Sequence, residues 1–156
     1  WKKRRRADQA YWQQRLVKRR KGSGLLKGRR IMLVEDNELN REIAYELLSE
    51  SGLIVDVAEN GQEAIKLLGI RPENYYELIF MDIQMPVMNG YEATANIRAG
   101  ESDYWKTIPV IAMTANVFQE DESRAAECGM SDYVTKPIDM NVIYSVLEKW
   151  LRGQKG

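Results

Sequence analysis

From residue 31 onward, short apolar runs alternate with amphipathic stretches, five times over. "IMLV" (31–34), "LIVDVA" (53–58), "ELIFMD" (77–82), "IPVIAMTA" (108–115) and "SDYVTKP" (131–137) read as strands. Between and after them lie "LNREIAYELLSES" (39–51), "GQEAIKLLG" (61–69), "YEATANIRAG" (91–100), "FQEDESRAAECG" (118–129) and "MNVIYSVLEKWLRG" (140–153), all with helical periodicity. Strands with so little polar interruption must be covered on both faces, and amphipathic helices between them provide the cover. The pattern therefore predicts an α/β fold, a doubly wound five-stranded parallel sheet with right-handed crossovers and helices on both faces. Leu39, Ile43 and Leu47 are expected to form the buried face of the first helix. Val142, Ile143, Val146, Leu147 and Trp150 are expected to do so in the last, with Asp139 as its N-cap.

In such a sheet, ligands bind outside the carboxyl ends of the strands, where the strand order reverses. The residues at those ends are unusual. "IMLV" runs into Glu35 and Asp36, "LIFM" into Asp82, and the last two strands end at Thr114 and Lys136. Either carboxylate pair, taken alone, could be an ordinary loop beginning. Three acids, a hydroxyl and an ammonium on one edge point instead to a single site. Clustered carboxylates raise one another's pKa values, and a divalent cation relieves the repulsion. An all-oxygen ligand set with few protein carboxylates suits Mg²⁺. Lys136 can hold a carboxylate or a phosphoryl oxygen as a point charge, and Thr114 can donate its hydroxyl to the same oxygen. A solvated lysine and a plain β-branched strand residue are the ordinary alternatives for these two.

Composition removes several rival chemistries. The 156 residues contain no histidine, so a His-dependent triad, a His-ligated metal and a phosphohistidine are excluded on this chain. Cys128 is the single cysteine, which rules out an intramolecular disulfide and suits a reducing compartment. No GxxxxGK[ST] loop exists, and no GxGxxG follows the first strand, which argues against P-loop and dinucleotide sites. A dehalogenase-like phosphatase would want a second Asp two positions after Asp82, where Gln84 stands. No apolar run approaches the roughly 20 residues that span a bilayer.

The motifs "LVEDNELNREI", "LIFMDIQMPVMNGYEA", "IPVIAMTAN" and "GMSDYVTKPI" closely resemble the receiver domain of two-component response regulators, in type, order and spacing. The resemblance runs from residue 31 to about residue 152 and is strongest to receivers of hybrid sensor histidine kinases. It implies a flavodoxin-like fold with strand order 2-1-3-4-5. It also implies a phosphoacceptor at Asp82 and a Mg²⁺ site formed by Glu35, Asp36, Asp82 and the backbone carbonyl of Gln84. By the same resemblance Lys136 is the phosphate partner, Thr114 the switch hydroxyl and Tyr133 the switch aromatic. Gln84 and Asn116 are implied to tune hydrolysis of the acyl phosphate, and Lys136–Pro137 is the candidate cis peptide bond. A plain half-buried strand aromatic is the alternative for Tyr133. The expected partners are a histidine kinase domain, on the same or another chain, and a histidine phosphotransfer domain. The competing class is a pseudo-receiver that keeps the fold and signals without phosphate.

The net charge of zero hides an asymmetry. Residues 1–30 hold 13 of the 23 Lys and Arg and one acid, Asp8, while the rest holds 10 bases against 22 acids, a net of −12. Two units follow: a basic arm or linker, helical or flexible, over 1–28, and a receiver domain over 29–153 whose core lies within 31–152. "KGSG" (21–24) reads as a hinge between them. Three readings of the arm stay open. It is a linker that approaches a membrane surface or another domain of a hybrid kinase, a nucleic-acid-binding segment, or a solvated or engineered stretch. No nucleic-acid binding is expected of the receiver itself. The chain begins with Trp1 and ends soon after Leu151, so it is expected to be a fragment or processed chain with no output domain. Its expected location is cytoplasmic, including the cytoplasmic part of a membrane-anchored protein.

Overall fold

The computed structural model describes residues 26–115 and 119–151 (backbone alone for 119–122). The elements are β1 (Arg30–Val34), α1 (Glu38–Glu50), β2 (Ile54–Ala58), α2 (Gly61–Ile70), β3 (Leu78–Asp82), α3 (Gly90–Arg98), α4 (Asp103–Thr107), β4 (Val110–Thr114), α5 (Gln119–Cys128), β5 (Asp132–Thr135) and α6 (Met140–Leu151). The five strands form one sheet in the order β2-β1-β3-β4-β5, and every neighbouring pair is parallel. The strand order thus reverses between β1 and β3, and the carboxyl ends of these two strands flank the crevice.

Alternation along each strand builds a core on either side. Ile31 and Leu33 of β1 and Leu78 and Phe80 of β3 pack with Ala44 and Leu48 of α1 and Ile143 and Leu147 of α6. Met32, Val34, Ile79 and Met81 face the other way, against Ala64 and Leu68 of α2 and Ala93 and Ile97 of α3. A strand whose successive residues enter opposite cores cannot tolerate polar substitution at either parity, which is why these strands read as unbroken apolar runs.

Short polar side chains start the helices. Asn37, Asn60 and Asn89 each accept a hydrogen bond from a backbone N–H of the first turn, from Asn40, Glu63 and Glu92 respectively. At α3 the Glu92 side chain reaches back to the Asn89 N–H and completes a capping box. Asp139 caps α6 as the sequence suggests, its Oδ1 accepting from the Asn141 N–H at 2.8 Å.

Three sequence expectations give way to packing. The first concerns α1, where Leu39 and Ile43 are exposed, Leu47 is partly buried, and the buried residues are Ala44 and Leu48. Two apolar rows exist on this helix, and the one containing small Ala44 lets the helix approach the sheet more closely. The second concerns α6, where Val142 faces solvent and the buried row is Met140, Ile143, Tyr144, Val146, Leu147 and Leu151. The third is α4, a short helix the apolar periodicity did not predict. Ser102 caps it, and Tyr104 uses its hydroxyl to accept the Tyr76 N–H at 2.9 Å and to donate to the Tyr76 carbonyl at 2.7 Å. This side chain therefore satisfies both backbone groups of a residue just outside β3.

The packed unit also reaches further upstream than residue 31. Leu26 is fully buried in the α1/α6 core beside Leu53 and Leu151. Gly28 donates its N–H to the Gly52 carbonyl at 2.9 Å, and Arg29 Nη1 donates to the Leu151 carbonyl at 2.9 Å. Residues 1–25, most of the basic arm, lie outside the described residues. Leu26→Ala should therefore lower the folding free energy by about 2–4 kcal/mol, the usual range for emptying a buried leucine site. Deletion of residues 1–24 should leave the denaturation midpoint nearly unchanged. Urea unfolding followed by circular dichroism checks both.

Candidate functional site

Each residue of the polar edge is placed by a local device. Beyond Val34, the Glu35 N–H still donates to the Ala58 carbonyl at 3.0 Å, so Glu35 continues the line of β1. Its side chain is buried, and its Oε1 accepts the Asn37 N–H at 3.3 Å. Arg41, one turn into α1, donates from Nη1 to the carbonyls of Glu35 at 3.0 Å and Asp36 at 3.4 Å. That clamp fixes the turn on which Asp36 stands exposed.

Asp82 is the last residue of β3 and only 4% exposed. The chain leaves it through a tight loop that returns at Gly90, whose N–H donates to the Ile83 carbonyl at 2.8 Å. A Cβ on Gly90 would overlap the carbonyl oxygen of Asp82. Only glycine therefore lets α3 begin this close to the strand end. Thr114 closes β4, half-buried, and its carbonyl accepts the Lys136 N–H at 2.8 Å. The Lys136–Pro137 peptide bond is cis.

Lys136 joins the two buried acids. Its Nζ lies 2.7 Å from Glu35 Oε2 and 3.0 Å from Asp82 Oδ1. Carboxylate oxygens of Glu35, Asp36 and Asp82 all lie within 4.8 Å of one another. Burial, and next the charge of Glu35, push the Asp82 carboxyl up to about 7, against the pull of Lys136. Burial works against the Lys136 ammonium, but Glu35 and Asp82 together outweigh it and hold its pKa above the ordinary lysine value. The site thus carries more negative charge than one ammonium can neutralise. Three oxygen donors in reach of one another, one of them open to solvent, fit a hard divalent cation.

These side chains line one open cavity of about 910 Å³. Glu35, Asp36, Asp82, Gln84, Thr114 and Lys136 all belong to its wall. Tyr133 does not; it sits on β5 opposite Ala112, 42% exposed. Asn116 lies outside the described residues. Among the wall residues that escaped the sequence reading are Arg124 of α5 and Tyr91 of α3. The guanidinium of Arg124 lies 4.6 Å from the centroid of the Tyr91 ring. Neither had a signal in the sequence, since Arg124 reads as one more charge on a polar helix and Tyr91 as part of its apolar face.

Residues 31–148 match the response regulator receiver domain family. The chain belongs to that family. It is 38% identical over 147 residues to Histidine kinase 3 of Arabidopsis thaliana, covering 83% of this chain and 14% of that protein. It is 36% identical over 120 residues to Hybrid signal transduction histidine kinase I of Dictyostelium discoideum, covering 76% of this chain and 7% of the relative. The receiver therefore spans a small part of the curated relatives it matches. Among solved structures, the receiver domain of a sensor histidine kinase from Pseudomonas aeruginosa PAO1 is 34% identical with a TM-score of 0.72, over 80% of this chain and 98% of that one. That structure has a magnesium ion coordinated in its active site cleft. A Saccharomyces cerevisiae receiver, that of Ssk1, in complex with the histidine phosphotransfer protein Ypd1, is 30% identical with a TM-score of 0.72, over 83% of this chain and 92% of that one. Among the described residues of this receiver, no helix is long and apolar enough to cross a membrane.

The raised Asp82 pKa has a signed consequence for stability without metal. The folded value, about 7, lies above the ordinary 3.8, so folding favours the protonated form. Its contribution is fully present below about pH 4 and is lost as the pH rises through about 7. Asp82→Asn is neutral throughout. In chelator at pH 8 it should melt on the order of 5 °C above the parent, and the two should converge near pH 4. Thermal melts across that pH range read the difference directly.

Proposed function

We propose that this receiver accepts a phosphoryl group on Asp82 from a phosphohistidine of a partner domain, with Mg²⁺ as cofactor, and that the modification switches its surface. The observation that carries this reading is the partly exposed Lys136 paired with buried Glu35 and Asp82, with Asp36 open beside them and all three carboxylates within reach of one ion. Glu35, Asp36, Asp82 and the backbone carbonyl of Gln84 would hold the metal. When bound, a divalent cation supplies neutralisation of charge on the transferring oxygens.

The protein's own part is mainly positioning. An Asp82 oxygen, already at a fixed strand end, attacks phosphorus as the donor's N–P bond breaks. The imidazole leaves with the bonding electron pair and takes a proton from solvent. Lys136 is poised to exchange its contact with the Asp82 carboxylate for one with a phosphoryl oxygen, and Thr114 donates its hydroxyl to another. Gln84 and Asn116 carry amides and no base, so they orient water for hydrolysis without activating it. Inward movement of Thr114 is matched by Tyr133, which couples the cavity to the surface formed by α5, β5 and α6.

The donor side also fits. Leu39 and Ile43 leave an apolar strip on α1, beside the cavity wall at Asn37 and Asn40. A helical phosphotransfer or dimerised kinase domain that brings its histidine to Asp82 would cover that strip. The partner is thus a histidine kinase domain of the same or another chain, or a histidine phosphotransfer domain, and the setting is the cytoplasmic part of a hybrid kinase.

Acetyl phosphate with Mg²⁺ should add one phosphoryl group, seen by intact mass, at Asp82 alone. Asp82→Asn or a chelator should abolish it, and persistent labelling of Asp82→Asn would refute the assignment. Asp36→Asn should weaken Mg²⁺ binding about tenfold, a scale typical of perturbed metal sites, while the domain stays folded. Isothermal titration and a thermal melt of the same sample give both quantities.

A further inference from the structure

The cavity wall holds two cations, Lys136 and Arg124. Lys136 is committed, in contact with both Glu35 and Asp82. Arg124 is exposed and has no ion pair among the described residues. Its guanidinium is nevertheless not loose, because it rests on the Tyr91 ring at 4.6 Å from the centroid. The ring is itself rigidly seated. Tyr91 is buried in the first turn of α3 and packs in one cluster with Ile83, Ala112 and Ala125, the residue next to Arg124. A planar fork of donors seated on a buried ring therefore stands in the wall of an acidic cavity that Asp36 also lines.

We propose that Arg124 is a second anion-binding side chain of this cavity, held by Tyr91 to meet the outer oxygens of an incoming phosphodonor. The proposal rests on the reading of Asp82 as phosphoacceptor. A phosphoryl dianion approaching Asp82 meets the exposed carboxylate of Asp36, while those of Glu35 and Asp82 are buried. Lys136 is partly exposed but already paired with both buried acids, so it offers little attraction at the entrance. An exposed guanidinium attracts the dianion before it is bound, and its fork can donate to two phosphoryl oxygens side by side. A purely structural cation–π contact between α5 and α3 would instead depend on the shape of the side chain and be indifferent to its charge.

The experiment uses the full chain and acetyl phosphate at saturating Mg²⁺. Arg124→Met keeps an apolar side chain on the ring and removes the charge, Arg124→Glu reverses it, and Arg124→Lys retains it. The initial phosphorylation rate should fall about threefold for Arg124→Met and about tenfold for Arg124→Glu, the scale of a partly exposed charge pair. Arg124→Lys should keep most of the rate, and the differences should shrink in 1 M salt, where the screening length is about 3 Å. Affinity for Mg²⁺, read by calorimetry, should move the other way and tighten in Arg124→Glu, a reversal that loss of packing would not produce. A Glu variant as fast as a parent that is phosphorylated on Asp82 overturns this inference alone. So does a Lys variant as slow as the Met variant. A parent that takes no phosphoryl group on Asp82 removes the acceptor reading and this inference with it.

Discussion

The contact on which the site depends is the Lys136 ammonium between Glu35 and Asp82, 2.7 Å from one and 3.0 Å from the other. Two buried carboxylates cannot share the end of a hydrophobic sheet without a counter-charge. Lysine supplies one charge from just beyond β5, the edge strand two places from β3, and so ties the ends of β1, β3 and β5 together in one interaction. The balance is left deliberately incomplete. With Asp36 nearby and Asp82 pushed up to about 7, the site retains an appetite for further positive charge and a carboxyl that is easily neutralised. The proposed metal binding and phosphoryl acceptance would both draw on this electrostatic deficit.

Holding that deficit in place is the work of the backbone around it. The turn after β1 is secured by Arg41 on two carbonyls and by the Asn37 cap. The loop after β3 is secured by Gly90 and the Asn89–Glu92 capping box. These devices use hydrogen bonds to the main chain, so the acidic side chains remain available. At the other pole, Leu26 and Arg29 bind the segment before β1 to the end of α6 through core packing and the Leu151 carbonyl. This anchored segment lies at the amino ends of the strands, far from the acidic edge.

Much of the fold was legible because it rests on short-range rules. A strand between two hydrophobic layers must be apolar at every position, so β1, β3 and β4 stand out as runs. Asp139 before the last helix marks its start with the same economy. The candidate site was legible for a related reason: at a strand's carboxyl end the buried run stops, and a carboxylate placed there has few structural duties. Glu35, Asp36, Asp82, Thr114 and Lys136 could therefore be gathered from strand ends alone, and the tertiary structure brings all five into one cavity wall.

What remained hidden depended on which neighbour a residue meets. On α1, Leu39–Ile43–Leu47 and Ala44–Leu48 are both helical rows, and the larger side chains looked like the core. The sheet selected the row with alanine, because close approach of helix to strand gains more contact than bulk does. Helix α4 forms because Tyr104 serves the backbone of Tyr76, 28 residues away in sequence. Arg124 became part of the site only when α5 set it over Tyr91. By itself the sequence determined the alternation of elements, the two-sided burial and the chemical types at the strand ends, since each follows from local periodicity and solvation. Tertiary structure alone decided helix rotation, the inclusion of Leu26 in the core, and the arginine at the cavity rim, because those depend on distances between elements that no local pattern encodes.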